Sequence, residues 1–568
     1  PQELRLLVRR CLEKNREARF QSAQDLAYAL RSLLSTTVLQ APPRPPRRIS
    51  RSKLYGGLAA TVLVIGIAAA WRAAGPRALS IAGRRIDSIA VLPFGGASRD
   101  TSDDYLTDGI TESLINGLSQ LPQLSVMSSS SVFRYKGEPL DPQRIGKELR
   151  VDALLLGRVS RRGESLHVST ELVDAENGRH IWGRQDDVPL AQVVALQGEI
   201  ARQISEELHL ELTGAQKDRL ARRSTEDAQA YELYLKGRYS WNKRTPDGLR
   251  QAIGFFQQAI DRDPAYARAY AGLADAYILQ ALYSQAAPND VLPKGRAAAV
   301  RALELDPEQA EARTSLAYFR RNYDEDLAPA EDEFRKAIAQ NPSYATARHW
   351  HALCLADMGR TKEAIAEIRS AAQLDPLSPV IYADSAGILN DAGLTTEALA
   401  EIQKALELDP NLPFAHHIFS EIELRRGNGA RTIVEASLAW RLGGDPRALL
   451  RLGQGHMLGK DREGALAVLR QMEGLSSDRF VSPYTIARLA AIVGEKERAL
   501  SWLERATDVL PPGAFLRSLK RDPLLAPLRS HPRFDQVVRE VAKRVEARTG
   551  PAASSPDSPR LPAAVGRV

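Results

Sequence analysis

Two stretches of this chain decide its fold: TKEAIAEIRSAAQLDP at residues 361–376 and TTEALAEIQKALELDP at residues 395–410. Both carry alanine, isoleucine, alanine and proline at the same four positions, and residues 252–264 and 330–342 repeat the pattern with phenylalanine in place of isoleucine. Apolar residues at this three- and four-residue spacing predict one face of an amphipathic helix that ends near the proline. In the first stretch the four positions are Ala364, Ile368, Ala371 and Pro376.

The prolines that close these stretches are almost evenly spaced. Pro342, Pro376 and Pro410 are 34 residues apart, and Pro307 lies 35 residues before the first of them. Small alanines let two antiparallel helices approach closely, and each pair leaves an apolar face that only a neighbouring pair can bury. The period and pattern resemble the tetratricopeptide signature. We therefore predict an all-α solenoid over residues 228–548, with a capping segment at its C-terminal end.

The tetratricopeptide resemblance implies a groove that binds a protein or a peptide, because the first helix of each pair lines the concave surface of the stack. The mixed charge of the matching positions argues against a groove dedicated to acidic peptide tails. For any single position, a merely solvated helix face is the alternative. The candidate partner-binding residues are Arg268, Asp275, Glu311, Tyr318, Arg321, His349, His417 and Glu421.

Residues 86–212 have a different pattern. The branched apolar run Ser88–Phe94 predicts a buried strand, and Asp141 followed by Pro142 predicts the capped start of a helix. Alternating strands and helices favour one small α/β domain. Further strands are predicted at residues 124–127, 153–159 and 166–173, and a helix carries Ile110, Leu114 and Leu118.

The same region resembles the TolB-like amino-terminal domain that accompanies kinase, cyclase and transcription-regulator modules in bacteria. The matching motifs, in order, are IAVLPF, DDYLTDGITESLINGL, SSSSVFRYKG, ELRVDALLLGRVSRRG and VDAENGRHIWGRQ. The resemblance implies no catalytic residues.

Residues 1–34 predict two amphipathic helices that are too small to bury a core of their own. The stretch CLEKNREARFQSAQDLAYAL resembles the last helices of the C-terminal lobe of bacterial serine/threonine protein kinases, with Arg19 at the family's anchoring arginine. The chain begins at Pro1, inside a helical pattern and without an initiator methionine. We therefore expect it to be part of a longer protein.

Every motif that performs kinase chemistry is missing from the sequence: there is no glycine-rich phosphate loop, no Val-Ala-Ile-Lys strand, no His-Arg-Asp loop and no Asp-Phe-Gly. We therefore expect this chain not to be an enzyme and to use no cofactor. The alternative is that the full-length parent is an ATP-dependent serine/threonine protein kinase in signal transduction.

A membrane anchor is predicted between the two parts. Residues 35–53 form a Pro/Arg-rich linker, and residues 54–71 contain no charge over a length of about 27 Å as a helix, enough to span a bilayer. The basic residues before the span and the kinase-like helices place the N-terminus in the cytoplasm and the repeats outside it, on the inner membrane. The Pro/Ser/Ala-rich residues 549–568 predict a disordered tail.

The composition argues against nucleic acid and metal ions as partners. The formal net charge is +7, but the clearest basic cluster precedes the predicted span, and no basic helix interleaved with aromatic residues accompanies it, so nucleic-acid binding is disfavoured. The two cysteines, Cys11 and Cys354, are far apart in the sequence, and neither has other metal-ligating residues at the spacing of a zinc site, so no metal site is predicted. The predicted fold is multidomain: a single transmembrane helix, a small α/β domain and a tetratricopeptide solenoid. Its predicted function is a membrane-anchored interaction scaffold and sensor.

Overall fold

The computed structural model describes residues 85–96, 104–163, 165–189, 192–221, 224–243, 245–282, 288–324 and 326–549. These residues all belong to one compact unit that begins at Arg85. Within these ranges no helix is both long enough and apolar enough to cross a membrane. The predicted kinase-like helices, the linker and the membrane span lie outside the described residues and stay predictions. The predicted tail also lies outside them, except that Thr549 ends the last helix rather than starting a disordered segment.

A mixed sheet forms the centre of the α/β domain. Its strand order is β3-β1-β4-β5-β6, with β2 also paired to β4. β1, β2 and β3 run parallel to their partners, whereas β4, β5 and β6 form an antiparallel meander. The strands are β1 Ser88–Val91, β2 Gly95–Gly96, β3 Ser125–Val126, β4 Ala153–Arg162, β5 Ser165–Asp174 and β6 His180–Pro189.

The predicted strands of this domain are confirmed, whereas β6 was missed because its side chains are mostly polar and it lies at the sheet edge with little burial. The predicted helix cap is also present: the Asp141 carboxylate accepts hydrogen bonds from the backbone N–H groups of Gln143 and Arg144. The helices of this domain are α1 Asp104–Leu118, α2 Ser129–Val132, α3 Pro142–Leu149, α4 Val193–Glu207 and α5 Gly214–Ala221, with a 3-10 turn at Phe133–Tyr135.

Eight antiparallel helix pairs follow in the described residues, and the predicted solenoid is confirmed. The first helices are α6 Ala228–Asn242, α8 Ala267–Leu282, α10 Ala310–Phe319, α12 Ala345–Asp357, α14 Pro379–Asp391, α16 Pro413–Arg425, α18 Pro446–Leu458 and α20 Pro483–Val493. The second helices are α7 Pro246–Arg262, α9 Pro288–Leu305, α11 Leu327–Gln340, α13 Thr361–Leu374, α15 Thr395–Leu408, α17 Gly429–Gly443, α19 Arg462–Leu475 and α21 Lys496–Val509. A π-helical turn, Arg320–Asp324, extends α10. The C-terminal cap consists of α22 Pro512–Arg521, a 3-10 turn Pro523–Leu528 and α23 Pro532–Thr549.

The alanines of the repeat pattern lie where the helices touch. Ala364, Ala371, Ala398 and Ala405 are fully buried. The turns inside the fourth, fifth and sixth pairs use a left-handed glycine at the same 34-residue spacing, and Gly359, Gly393 and Gly427 have φ of 76°, 76° and 77°. Glycine adopts this conformation without steric cost, which explains its place after the first helix.

Successive first helices pack more closely on one another than successive second helices do. The stack therefore curves with the first helices on its inner side, as tetratricopeptide stacking requires. This inner side is the surface on which the candidate residues were predicted.

Candidate functional site

All eight predicted partner-binding residues lie on first helices or on the π-helical turn that extends one of them. Arg268 and Asp275 belong to α8, Glu311 and Tyr318 to α10, His349 to α12, and His417 and Glu421 to α16, while Arg321 follows α10. The structure divides them into three groups, because the α/β domain packs against one part of the inner side and neighbouring helices satisfy another.

The α/β domain packs on the first helix of the array through an ion pair in its interface. Arg238 on α6 makes a bidentate hydrogen-bonded ion pair with Glu112 on α1, and the two side chains are 13% and 7% exposed. Asp275 lies 3.7 Å from the same guanidinium and accepts a 2.5 Å hydrogen bond from the Ser315 hydroxyl. Burial opposes the charge of Arg238, but the nearby Glu112 carboxylate keeps the pKa of the guanidinium above its ordinary value.

Arg268 and Glu311 lie beside this interface. Burial opposes the charge of Arg268, yet Tyr234 and Glu311 outweigh it and raise the pKa of the guanidinium. The neighbouring Tyr231 hydroxyl accepts a 2.6 Å hydrogen bond from the Gln197 amide, which belongs to α4 of the α/β domain. We call Arg238, Arg268, Asp275, Glu311 and Ser315 the covered face, because contacts within this chain occupy them.

A second contact ties the α/β domain to the turns between repeats. The Ser131 hydroxyl donates a 2.5 Å hydrogen bond to the Asp375 carboxylate, and Ser130 donates to the same group. The Arg134 guanidinium donates to the carbonyl oxygens of Leu377 and Leu408, both at 3.2 Å. Sequence reasoning missed this contact, although the serine run stood out as a motif, because nothing in either segment identifies the other as its partner.

In the middle of the inner side, the candidate side chains pack on or pair with other residues of the repeats. Tyr318 packs on Trp350 with ring centroids 4.8 Å apart, and burial raises the pKa of the phenol to about 12. Arg321 pairs with Asp357 at 2.8 Å. His349 Nε2 lies 2.7 Å from the Asp384 carboxylate, so this predicted residue joins two neighbouring first helices.

The inner side of the sixth and seventh pairs carries buried polar atoms that have no hydrogen-bond partner among the described residues. The Glu421 carboxylate accepts a 2.7 Å hydrogen bond from Arg451, and the two side chains are 32% and 14% exposed. Among the described residues, neither Arg451 Nε nor His417 Nδ1 has a hydrogen-bond partner. Burial lowers the pKa of His417 to about 4, and the positive charges of Arg451 and Arg447 act in the same direction. This imidazole is therefore neutral at pH 7.

Arg447 completes this group: it pairs with Asp445 and lies close enough to Tyr318 for its charge to act on the phenol. We call His417, Glu421, Arg447 and Arg451 the open face. It offers hydrogen-bonding groups and charges of both signs, a combination suited to the amides and side chains of a peptide. Sequence reasoning identified His417 and Glu421 but missed the two arginines, whose pair had lost the regular repeat spacing.

The described residues contain no group of three or more histidine, cysteine, aspartate or glutamate side chains placed to hold a metal ion. Cys354 is buried, and its thiol donates weakly to the carbonyl oxygen of Leu327 at 3.7 Å.

Comparison with known proteins finds similarity in both parts of the unit. Residues 85–202 match the family model "HilA/YgeH-like transcriptional regulator, second domain". A Rhizobium meliloti protein named "Putative adenylate cyclase 3" is 31% identical over 220 residues, which are 31% of this chain and 38% of that protein. The transcriptional regulator HilA of Salmonella typhimurium is 24% identical over 294 residues, or 51% of each chain. The chain thus spans about half the length of these relatives or less.

Two of the solved structures to which this chain is similar are yeast Tom70 and YrrB. Yeast Tom70 is 12% identical, with a TM-score of 0.39 over 64% of this chain and 81% of its own. YrrB, described as a tetratricopeptide protein with an unusual peptide-binding site, is 21% identical, with a TM-score of 0.24 over 34% of this chain and 95% of its own. The helix pairs of the present structure, with their 34-residue period, themselves define a tetratricopeptide-like interaction scaffold.

Proposed function

We propose that this chain is the sensor and scaffold part of a membrane-anchored bacterial signalling protein, and that its open face binds a peptide or protein ligand. The observation that carries the proposal is the pair of recessed, unpartnered nitrogens on Arg451 and His417. A buried polar nitrogen without a partner is costly, and a ligand that supplies the complementary hydrogen-bonding group recovers that cost. The covered face has no such opening, because the α/β domain already occupies it.

The test is binding of a displayed peptide library to the purified full chain. We expect a set of peptides that bind the wild type and that bind Arg451→Gln at least about tenfold more weakly, since a charge-assisted hydrogen bond is lost. Arg441→Gln is the matched control, because Arg441 is exposed on a second helix. Peptides that bind both variants as well as the wild type would refute the assignment of the ligand to the open face.

The membrane and kinase parts of the proposal rest on the sequence of residues 1–71. In this view the parent is a receptor-like serine/threonine kinase on the inner membrane, with residues 1–53 in the cytoplasm and the repeats outside it. The resemblance of the α/β domain to TolB-like domains, which accompany several output modules, supports an accessory role. The competing candidate, a full-length parent that acts chiefly as an ATP-dependent serine/threonine protein kinase, is favoured by the kinase-like helices predicted at residues 1–34.

Protease treatment of intact spheroplasts tests this topology. We expect the repeats to be degraded and a fragment containing residues 1–71 to survive. Repeats that resist until the membrane is permeabilised would reverse the orientation. The chain as given should also show no ATP-dependent labelling of a generic substrate, because the phosphate loop and the metal-binding carboxylates are absent.

A further inference from the structure

A cleft of about 490 Å³ opens between the C-terminal cap and the third and fourth helix pairs. Leu327 and Asp357 belong to the wall formed by those pairs. The opposite wall comes from α20, α22 and the following turn, and it includes Arg488, Arg517 and Arg521. We call this space the cap cleft. Because residues far apart in the sequence form the cap cleft, no contiguous sequence motif predicts it.

Positive charge exceeds negative charge in the cap cleft, where three arginines face two aspartates, Asp357 and Asp522. Both aspartates already have partners. Asp522 accepts hydrogen bonds from the Tyr484 hydroxyl at 2.6 Å and pairs with Arg488 Nε at 2.7 Å. Asp357 pairs with Arg321, which adds a fourth arginine beside the cleft.

Arg521 differs from the other arginines of the cap cleft. It is exposed, and within the described part of the chain its side chain takes part in no hydrogen bond or ion pair. A guanidinium presents a planar fork of donors that matches an oxyanion in two-point geometry. The volume of the cleft falls in the range of small-molecule sites, which is roughly 300–1,000 Å³.

We propose that the cap cleft binds a small molecule through a phosphate or carboxylate group that Arg521 recognises. The ligand would lie between the cap and the middle of the solenoid and would stabilise their contact. This site is separate from the open face and does not depend on peptide binding there.

The test is the thermal midpoint of the purified full chain in inorganic phosphate and, in parallel, in citrate, each against sodium chloride at equal ionic strength. We expect a saturable rise with at least one of the two anions. A rise with phosphate alone identifies a phosphate group as the ligand chemistry, and a rise with citrate alone identifies carboxylates. Arg521→Gln should weaken the apparent affinity about tenfold, the effect of removing one charge-assisted contact.

Arg539→Gln is the matched control, because Arg539 is also exposed, lies on the cap helix α23 and loses the same charge. It should leave the response unchanged. An equal response in the wild type and both variants would show a general salt effect and overturn the proposal, as would no response to either anion. Peptide binding at the open face, measured on the same preparations with Arg451→Gln, separates failure here from failure of the proposed function.

Discussion

The covered and open faces are built from the same repeat but have different surroundings. On the covered face the charged side chains of Arg238 and Glu112 are 13% and 7% exposed and satisfy each other across a domain interface. On the open face Glu421 is 32% exposed, and Arg451 and His417 keep atoms without partners. The difference teaches that a polar residue on a first helix is a binding candidate only where no other segment of the chain already forms hydrogen bonds or ion pairs with it.

Among the described residues, the solenoid therefore has two stretches: one forms hydrogen bonds with the α/β domain, and the other does not. Among the described hydrogen bonds from the α/β domain to the repeats, the one furthest along the chain ends at Leu408. The inner side beyond that point contains the open face, where we propose that a ligand binds. Variants on the covered face should therefore alter stability, and variants on the open face should alter binding.

The largest effect is expected from Arg238→Met. The substitution leaves Glu112 in the interface without its cation, and breaking a buried ion pair in this way costs about 3–5 kcal/mol of unfolding free energy. Chemical denaturation of the full chain measures it. Arg250→Met is the control, because Arg250 and its partner Asp247 are 65% and 77% exposed and their pair contributes little. Adding Glu112→Leu to Arg238→Met should restore part of the lost unfolding free energy. Equal losses for Arg238→Met and Arg250→Met would contradict a buried interface.

The next effect is a pH dependence of opposite sign at two adjacent histidines. Burial lowers the pKa of His417 to about 4 in the folded chain. Below about pH 6.5 this imidazole is therefore protonated in the unfolded chain while it stays neutral in the folded chain. Stability should fall by as much as about 3 kcal/mol between pH 6.5 and pH 4, since each unit of pKa shift is worth about 1.4 kcal/mol. His417→Gln should flatten this acid limb.

His416 behaves in the opposite way, because its hydrogen bond to the Glu435 carboxylate raises its pKa. Its contribution is fully present below about pH 6.5 and is lost as the pH rises through the raised value. His416→Gln should therefore flatten the alkaline limb and leave the acid limb in place. Denaturation midpoints between pH 4.5 and pH 9 check both variants, and identical profiles for the two would contradict the assigned environments.

A third test asks whether the repeat register is correct. Ala371→Leu inserts three carbons between packed helices and should cost about 1–3 kcal/mol, with damage that spreads to neighbouring pairs. Ala366→Leu is the matched control on the same helix α13, because Ala366 is exposed whereas Ala371 is fully buried. Thermal melting of the helical signal compares them. If both variants melt with the wild type, the 34-residue register is wrong.

The smallest effect on stability is expected from Glu421→Gln. Its pair with Arg451 is partly exposed, so the loss should stay below about 1 kcal/mol, while the peptide affinity of the open face should change. The same substitution at the buried Glu112 should cost several times more, because the partner arginine is then left without a counter-charge in the interface. Similar costs at the two positions would remove the distinction between the two faces.

Local pattern was enough to predict most of the secondary structure. The spacing of Ala364, Ile368, Ala371 and Pro376 predicts amphipathic helices and their ends, because helix periodicity and the missing proline N–H act within a few residues. The branched run at Ser88 predicts the first strand for the same reason. The eight groove candidates came from the tetratricopeptide resemblance; seven of them lie on first helices, and Arg321 lies on the turn that extends α10.

Which of those candidates remain available to a partner depends on contacts between distant segments. Glu112 meets Arg238 across 126 residues, and Ser131 meets Asp375 across 244. No property of either segment specifies the other, because such a contact depends on the curvature of the whole stack and on the position of the sheet against it. The cap cleft has the same origin, since Asp357 and Arg521 share it only after the solenoid has folded. Periodicity therefore determined the helices and their inner side, and long-range packing determined which parts of that side are covered and which are open.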